Sequence, residues 1–595
     1  MEIFSSKNFE EIQVDMEDFD FTQEDLRALT LLETSIIQQN EQDNQSDLEL
    51  SDSNEEQLHI PKKRRRLIIQ SDSESESDSV RNYVTANITA SDRVSKKWSR
   101  PRRQQPSIIP FTETSGMNKE FSTILKEADP GAFYSLLVSD EIFDMIVEQT
   151  NLFALQSCES RNVKPSSRSH AWKPTDRHEI KRFFGLILYM GLVRLPKLSY
   201  YWSKDKILGQ TFPRTVMSRN RFEIILQYLH FSDNETANKS DRISKIRPII
   251  DMVNNTFQKY YSPKEDICVD ESQVPFRGRI VFRQYNKSKR HKYGLKLFKL
   301  CTIPGYTCKF SLYGGKNIDT VNTTPTSVVM SLCSQILNKG HTLATDNWYT
   351  SLELAYNLLE HQTHLIGTIR KNRRGLPKDV VEAKLQKGEF MAMENEDGIT
   401  ILKWKDKRDV MMLSTKHSDK MSTIAKKGKQ ITKPKVILDY NKSKGSVDMS
   451  DQMSSYSSPL RKTIKWYRKL GIEILLNTAV VNAWIMFTET RNTKMSIVEF
   501  RKSLVDYLTS SSDSQQTESG VTVSRPKRLK HELLTKTGTV RNTRRFCVHC
   551  YKDMVKQFGR KLAKNKAKKV NTFCAQCDGN PHICLSCFNK IHRYV

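Results

Sequence analysis

A succession of short apolar segments in residues 266–370 constrains the fold more than any other feature of this sequence. ICVD, GLKLFKLCTI and CKFSLYG have the composition of strands, and the turn residues PGY between the last two predict a hairpin. SVVMSLCSQILNK and LELAYNLLEH repeat apolar residues at helical spacing, whereas HTLATD and THLIGTIR return to strand patterns. The order of three strands, helix, strand, helix and strand predicts a mixed sheet with helices on its faces.

Helical periodicity flanks this region on both sides. Before it, the pattern occurs in DEIFDMIVEQTNLFALQ, HEIKRFFGLILYMGLVRL and RNRFEIILQYLHF; after it, the pattern returns in WYRKLGIEILLNTAVVNAWIMF and VEFRKSLVDYL. Residues 371–432 interrupt the pattern with short polar strands and basic runs, which indicates an insertion. A chain of 595 residues exceeds the usual size of one core, so we expect three or more domains.

Charge is distributed unevenly along the chain. The formal net charge is +27, although residues 1–60 contain 17 acids and only two bases. Such a basic excess favours a polyanion, and DNA or RNA is the common one. We find no run of about 18 apolar residues and no secretory signal in the acidic start, so we expect an intracellular protein without a membrane partner.

The first 115 residues are poor in aromatics and rich in Ser, Asp, Glu and Gln, which predicts disorder. PKKRRRL (residues 61–67) indicates nuclear import, and SDSESESDS (residues 71–79) is typical of a substrate for an acid-directed kinase. The alternative for each is a solvated charged tail. With the nucleic-acid interpretation of the whole chain, we expect a nuclear protein.

Four aspartates form a candidate metal site. Asp270 ends the predicted strand ICVD and Asp346 ends TLATD, where open sheets gather their ligands. In GSVDMSDQM, Asp448 and Asp451 are three positions apart and would share one helix face. Clustered carboxylates repel one another unless a hard cation lies between them, and a pair of Mg²⁺ (or Mn²⁺) ions is the usual solution in phosphodiester chemistry.

A simpler interpretation exists for each of these acids. A single Asp is more often a helix cap, a turn former or a solvated residue. Glu271 should point to the opposite face of the strand from Asp270, which makes it a weaker candidate, and Asp266 and Asp319 fit loops.

The last 49 residues contain a cysteine cluster that predicts zinc. The pattern is C-x2-C, 23 residues, then C-x2-C-x4-H-x-C-x2-C-x4-H. Structural zinc takes four N or S ligands, so eight ligands suit two ions. The predicted ligands are Cys547, Cys550, Cys574, Cys577, His582, Cys584, Cys587 and His592. His549 should be a bystander, and His582 is the weakest of the eight.

Five segments resemble the diagnostic blocks of piggyBac-type DNA transposases, in the same order: VDESQVPFRGR, HKYGLKLF, ATDNWYTSLELAYNLL, IGTIRKNRRGLP and YNKSKGSVDMSDQM. The resemblance covers roughly residues 120–500 and the cysteine-rich end. It implies a multidomain α/β fold with a ribonuclease H-like catalytic core, interrupted by an insertion and flanked by helical dimerisation and DNA-binding segments. It also implies that Asp270, Asp346 and Asp448 are the catalytic metal ligands and that Asp451 is a further catalytic acid.

The resemblance and the patterns together divide the chain into seven parts. These are a disordered acidic region (1–115), a helical dimerisation and DNA-binding domain (116–265), the catalytic domain (266–372), an insertion (373–432), the second part of the catalytic domain (433–455), the second part of the helical domain (456–540) and the zinc-binding end (545–595).

The zinc-binding end resembles RING-like and piggyBac-family tails, in which the first and third Cys pairs share one ion. RKLAKNKAKK (residues 560–569) adds positive charge within its long loop, so we expect the module to bind DNA. A protein-binding zinc module with a basic nuclear signal is the alternative.

In chemical terms, the resemblance implies a homodimer that acts on double-stranded DNA. The transposon's terminal inverted repeats would be cut to free 3′-hydroxyls, which form hairpins and then join to a TTAA target. Three interpretations stay open: an active transposase, a host-adopted DNA-binding protein without transposition, and a metal-dependent nuclease that cannot rejoin ends.

Basic and aromatic residues around the acids are candidate DNA contacts. They are Arg277, Arg279, Lys292, Trp348, Arg370, Lys371, Arg373, Arg374 and Trp466. For the arginines and lysines the alternative is a solvated face. For Trp348 the favoured interpretation is a core anchor, whereas the basic context of Trp466 favours stacking on unpaired bases.

Overall fold

The computed structural model describes residues 97–101, 108–160, 172–238, 240–287, 289, 291–315, 324–426, 429–510, 531 and 533–592. Backbone contacts divide the chain into two compact units, Met1–Ser512 and Asp513–Val595. The basic run at 61–67, the serine-acid segment at 71–79, Asp319 and the serine-rich linker lie outside the described residues. Each unit is described separately.

Helices dominate the two ends of the first unit. Those before the sheet are α1 (Lys119–Ile124), α2 (Pro130–Leu137), α3 (Asp140–Ser160), α4 (Arg177–Leu192), α5 (Phe212–Val216), α6 (Arg219–Tyr228) and α7 (Arg247–Tyr260). Those within and after the sheet are α8 (Pro325–Cys333), α9 (Leu352–Glu360), α10 (Lys378–Glu382), α11 (Lys435–Ser443), α12 (Ser446–Ser455), α13 (Trp466–Glu473), α14 (Ala479–Arg491) and α15 (Ile497–Thr509). The helical segments predicted from periodicity all coincide with members of this set.

The strands of the first unit run from the N-terminal side to residue 434. They are β1 (Trp98–Ser99), β2 (Gly116–Met117), β3 (Tyr261–Ser262), β4 (Asp266–Pro275), β5 (Gln284–Tyr285), β6 (Tyr293–Thr302), β7 (Tyr306–Leu312), β8 (Thr342–Thr345), β9 (His364–Thr368), β10 (Phe390–Asn395), β11 (Thr400–Lys405), β12 (Asp409–Ser414), β13 (Met421–Lys426) and β14 (Lys429–Pro434).

The central sheet is mixed, as predicted. Its strands follow the order β1-β10-β11-β12-β9-β8-β4-β6-β5, and β7 also pairs with β6. β4, β6 and β7 form an antiparallel meander, whereas β8 pairs in parallel with both β4 and β9. The predicted alternation of strands and helices is therefore present between residues 266 and 368, with the two-residue β5 added.

Part of the predicted insertion, residues 373–432, extends this sheet. β12 pairs antiparallel with β9, and β11 and β10 continue outward from it, while β13 and β14 form a separate hairpin. β1 closes the edge by pairing with β10. The disorder prediction is wrong here, because Trp98 packs against the core and donates its indole N–H to Gly375 O at 3.2 Å.

The two faces of the sheet are buried under different elements. Successive side chains of a strand point to opposite faces of the sheet, so Ile267 and Val269 lie on the same face. There they belong to the large hydrophobic cluster that includes the helical layer. Cys268 lies on the other face, with Ala344 of β8, and is covered by Val447 of α12. Even-numbered positions at this point of β4 and β8 therefore face the helices that follow the insertion.

A continuous helical stretch, Trp466–Arg491, passes through the core of the helical layer. It consists of α13, a π-helical turn at Ile474–Thr478 and α14. Its best 18-residue window has a mean hydropathy of 1.6 and is 89% buried inside the protein. Asn482 ties it to the sheet by accepting from Thr307 N and donating to Thr307 O, both at 2.8 Å. Among the described residues, this one helix is long and apolar enough to cross a membrane, and its burial is that of a core helix.

The second unit is small and has few buried apolar side chains. Its helices are α16 (Val540–Thr543), α17 (Val548–Lys566) and α18 (Leu585–His592), and its strands are β15 (Leu533–Thr535), β16 (Arg545–Phe546), β17 (Lys569–Val570) and β18 (Thr572–Cys574). Ile583 and Phe588 pack against buried cysteines. With so little apolar surface, this unit depends on further cross-links for stability.

Gly471 provides a test of the packing between α13 and the end of α6. A Cβ at this position would lie 2.5 Å from ring atoms of Phe231, which is fully buried. We expect Gly471→Ala to lower the free energy of unfolding by about 1–3 kcal/mol through overpacking. Gly314→Ala is the matched control, because its nearest neighbour would be Ile243 Cγ2 at 3.4 Å. Equal thermal midpoints for the two variants would contradict this packing.

Candidate active site and zinc sites

Strand register brings Asp270 and Asp346 side by side. Val269 is paired in parallel with Thr345, so the next residues, Asp270 and Asp346, stand on neighbouring strands about 4.8 Å apart. The prediction that Asp270 ends its strand is wrong, because β4 stays paired with β6 as far as Pro275. Asp346 does follow the last residue of β8. Asp266, predicted in a loop, is the first residue of β4.

The turn after β8 fixes the Asp346 carboxylate. Its Oδ1 accepts from the backbone N–H of Trp348 at 2.9 Å, and its carbonyl accepts from the hydroxyl of Thr350 at 2.7 Å. Asp346 is therefore oriented by its own turn.

Asp448 reaches the same place from the helix. It lies in the first turn of α12, where the helix dipole favours a negative charge. The buried thiol of Cys268 lies within reach of the charges of all three acids. Its pKa is raised by burial first, and also by the negative charges of Asp270, Asp448 and Asp346. Two strands and one helix thus contribute one carboxylate each.

These carboxylates are held in a setting that disfavours their charge. Burial, followed by the charges of Glu271 and Asp346, raises the pKa of Asp270 to about 7. Burial and then Glu271 raise the pKa of Asp346, while Arg370 opposes the shift. Asp448 retains access to solvent, yet nearby protein restricts its hydration and raises its pKa. Three carboxylates whose charge is disfavoured by desolvation supply the oxygen donors that a hard divalent cation such as Mg²⁺ or Mn²⁺ prefers.

Glu271 lies on the opposite face of β4, as predicted from the alternation of side chains. Its Oε2 accepts from the hydroxyl of Tyr349 at 3.4 Å and lies 3.4 Å from Lys296 Nζ. Its charge nevertheless reaches both Asp270 and Asp346 and raises their pKa values.

Lys289 is a cation at this site that sequence reasoning missed. Its Nζ donates to Glu271 O at 3.2 Å, and its charge lowers the pKa values of Asp270 and Asp448. The only available signal was its position in the basic run YNKSKRHKYG. From that run the prediction took Lys292 instead, whose side chain is exposed.

Asp451 does not share the environment of the other acids. Its Oδ1 accepts from Lys299 Nζ and from Ser272 Oγ, each at 2.8 Å. It therefore contacts the sheet beneath the helix, through side chains of β6 and β4.

Two of the predicted basic contacts lie beside the Asp346 turn. Arg370 Nε donates to Asn347 Oδ1 at 3.0 Å, and Arg373 Nη2 donates to Trp348 O at 2.6 Å. Lys371 and Arg374 are exposed in the same loop. Arg277 and Arg279 are exposed in the loop that follows β4. Arg370 and Arg373 therefore place positive charge beside Asp346.

The two tryptophans are both half-buried. Trp348 is stacked on Phe298 at 6.0 Å between ring centroids, and Lys296 Nζ lies 4.8 Å from its ring. Trp466 packs edge-on against Phe282 at 5.1 Å. Both rings contact the core cluster, which supports the packing interpretation, and each leaves part of its surface accessible.

In the second unit, the cysteines form two groups of four ligands, and in each group all ligand atoms lie within 4.8 Å of one another. The first comprises Cys547, Cys550, Cys584 and Cys587, and the second comprises His531, Cys574, Cys577 and His592. Sγ atoms in the first group are 3.5 and 3.7 Å apart where Cys550 faces Cys587 and Cys584. Tetrahedral zinc with Zn–S bonds near 2.3 Å requires S···S distances of about 3.8 Å, so the donor set fits zinc.

The second group corrects one predicted ligand. His531, in place of His582, completes it, with Nδ1 at 3.4 Å from the Sγ atoms of both Cys574 and Cys577. The reason is strand pairing, since β15 places Leu533 opposite Cys574 and so brings His531 to the cluster. His582 instead directs Nδ1 towards Val570 O at 3.3 Å. His549 lies in neither group, and the first and third Cys pairs share a group as the family's tails implied.

Removing one imidazole tests this ligand set. We expect purified His531→Ala to retain about one equivalent of zinc and His582→Ala to retain two, because only the first loses a ligand. Metal content measured by atomic emission after dialysis distinguishes them. The reverse result, with the loss in His582→Ala, would restore the ligand set predicted from spacing.

Three comparisons with known proteins bear on this geometry. A family model described as Transposase IS4 matches residues 129–484, more than half of the chain. The human PiggyBac transposable element-derived protein 3 is 28% identical over 408 residues, and the human PiggyBac transposable element-derived protein 2 is 26% identical over 413 residues. The matches cover 65% of this chain in both cases, and 65% and 67% of the relatives, so the chain spans slightly less than two thirds of the first relative.

A solved structure shows the same architecture. This chain matches a piggyBac transposase, determined by cryo-electron microscopy in a synaptic complex with hairpin DNA, with a TM-score of 0.59 and 26% identity. The match covers 80% of this chain and the whole of that one. The family model, the relatives and the shared fold agree, and the chain belongs to the piggyBac-type transposase family.

Proposed function

We propose that this chain is a metal-dependent cut-and-paste DNA transposase. The observation that carries the proposal is the placement of Asp270, Asp346 and Asp448 around the buried thiol of Cys268 on one face of the sheet, where desolvation disfavours the charge of each carboxylate and a divalent cation would offset that cost. We propose a ribonuclease H-like core for residues 266–372 and 433–455. The order β7-β6-β4-β8-β9, an antiparallel meander continued by two parallel strands, supports it.

Asp270, Asp346 and Asp448 would hold Mg²⁺ or Mn²⁺ in this core. Two such ions would supply the Lewis acidity that activates an attacking oxygen and stabilises a leaving one at phosphorus. The chain's own residues orient this site: the turn of Trp348 and Thr350 fixes Asp346, and α12 presents Asp448. Lys289 neutralises part of the acid charge from the side of β4.

The proposed substrate is double-stranded DNA carrying terminal inverted repeats. Exposed arginines and lysines in the loops 276–283 and 370–374 would contact its phosphates. Trp466 would stack on unpaired bases with the accessible part of its ring. The solved relative contains hairpin DNA, which supports hairpin ends in the reaction that we propose, followed by joining at TTAA.

Further parts of the proposal concern assembly and location. We propose a homodimer on DNA, a zinc module with two Zn²⁺ ions that contributes to end recognition, and action in the nucleus. The two four-ligand groups support the zinc ions, and the basic face of α17 supports DNA as the module's partner.

A second function is favoured by the names of the relatives. Both human proteins are described as derived from a transposable element. The second candidate function is therefore that of a DNA-binding protein of this origin that no longer mobilises DNA. Terminal repeats flanking its gene would favour transposition.

Excision from a donor plasmid with the gene's own genomic flanks separates the two functions. We expect wild type to restore a single TTAA at repaired junctions and Asp346→Asn to abolish excision while retaining end binding, because a ligand charge is lost without a change in volume. Asp251→Asn, on the exposed surface of α7, is the matched control and should excise normally. Intact end binding without excision by wild type would favour the DNA-binding protein, and undiminished excision by Asp346→Asn would refute the aspartate assignment.

Salt dependence tests the basic loop after β9. We expect the double variant Lys371→Gln, Arg374→Gln to bind end DNA with a slope of log K against log salt that is shallower by about 1.8, since each lost phosphate contact removes about 0.9. The double variant Lys407→Gln, Arg408→Gln, in the exposed turn between β11 and β12, should keep the wild-type slope. Identical slopes in the two double variants would exclude the loop as a DNA contact.

A further inference from the structure

The inference concerns a buried ion pair beneath the catalytic helix. Asp451 Oδ1 accepts from Lys299 Nζ and Ser272 Oγ, each at 2.8 Å. The Lys299 side chain is only 1% exposed, whereas that of Asp451 is 32% exposed. An ammonium group at this depth is retained only when it is paired, because desolvation disfavours the charge.

Lys299 lies among acids from two helices. Burial opposes its charge, but Asp451 of α12 and Glu473 of α13 outweigh burial and raise its pKa above the ordinary value. Glu473 is itself buried and accepts from Asn477 Nδ2 at 2.7 Å. Asp451 is the carboxylate that contacts the ammonium directly, so the ion pair is directed at α12.

The position of this pair relates it to the predicted metal ligands. Lys299 of β6 stands directly opposite Asp270 of β4 in the strand register. Ser272 lies two residues after Asp270 on the same face of β4, and Asp451 lies one helical turn after Asp448. Asp451 therefore links α12, which carries Asp448, to β4 through Ser272 and to the neighbouring strand β6 through Lys299.

We propose that Lys299 is a positioning residue that holds α12, through Asp451, at the distance from β4 at which Asp270 and Asp448 can share a divalent cation. The proposal rests on the proposed function insofar as these aspartates are the metal ligands. In this proposal, Asp451 orients α12 and does not contact the metal or the DNA.

Two other roles make different predictions. If Asp451 were a metal ligand, Lys299 would compete with the metal for its oxygen, and removing the lysine would preserve or strengthen metal binding. If the pair served only to stabilise the fold, metal binding would follow thermal stability in every variant.

Binding of Mn²⁺ to the full chain, measured by calorimetry without DNA, distinguishes these roles. We expect Lys299→Met and Asp451→Asn each to weaken Mn²⁺ binding about tenfold or more and to lower the thermal midpoint. The double variant should recover part of the midpoint, because both members of the ion pair are removed together and Glu473 keeps its hydrogen bond from Asn477, and it should still bind Mn²⁺ weakly, because the helix is no longer held.

Lys403→Met is the matched control. Lys403 is also buried, donates to Val381 O and Ala383 O, and pairs with Asp409, but it lies in β11. We expect it to lower the thermal midpoint and to leave Mn²⁺ affinity at the wild-type value. Ser272→Ala provides a milder variant, should Lys299→Met fail to fold; it removes the second donor from Asp451 Oδ1 and should weaken Mn²⁺ binding about threefold.

Several results would overturn the proposal. The proposal is wrong if Lys299→Met or Ser272→Ala binds Mn²⁺ with wild-type affinity. It is also wrong if the double variant recovers both its Mn²⁺ affinity and its thermal midpoint. Loss of affinity in Asp451→Asn alone would make Asp451 a metal ligand. If Asp346→Asn binds Mn²⁺ as wild type does, the metal site of the proposed function fails, which is a separate result from failure of the positioning role.

Discussion

The desolvation of three carboxylates is the physical constraint on which the rest of the site depends. Asp270, Asp346 and Asp448 come from separate segments, and each is placed where its charge is disfavoured. A fold tolerates such a cluster only when rigid elements hold it together. Here the parallel register of β4 and β8 fixes two of the acids, and α12 brings the third, so that a cation would gain the most by binding between them.

The two lysines near these carboxylates differ in how deeply they are buried. Lys289 lies at the edge of the carboxylate cluster and touches a backbone carbonyl, whereas Lys299 is enclosed by the sheet and two helices. A surface lysine adds little stability, but an enclosed one constrains every group that neutralises it. The helix with Asp448 is therefore linked to the sheet by a directional contact as well as by the apolar contact of Val447.

The central sheet could be predicted because its strands and helices alternate with clear periodicity. Asp270 and Asp346 were candidates from their strand positions and Asp448 from its helical spacing to Asp451, but only the family resemblance assigned the three as one set. His531 could not be predicted, because it joins the second cysteine group through the pairing of β15 with β18, a contact between positions about forty residues apart. The contact between Lys299 and Asp451 could not be predicted either, because it also joins distant positions of the chain. Lys299 lies within an apolar strand, and nothing in GLKLFKLCTI shows which helix packs against that strand. Trp98 was overlooked because its flanks are polar, although one large ring was enough to order a sheet edge.

The insertion has a consequence for the order in which the molecule is made. Asp270 and Asp346 precede it, whereas Asp448 follows it, and side chains of β11, β12, α11 and α12 share one hydrophobic cluster on the second face of the sheet. A ribosome-bound chain that has emerged only as far as β12 carries two of the three acids. The core helix Trp466–Arg491 emerges later still. Translation thus separates synthesis of the strands from completion of the carboxylate group, and a product truncated after β12 lacks Asp448.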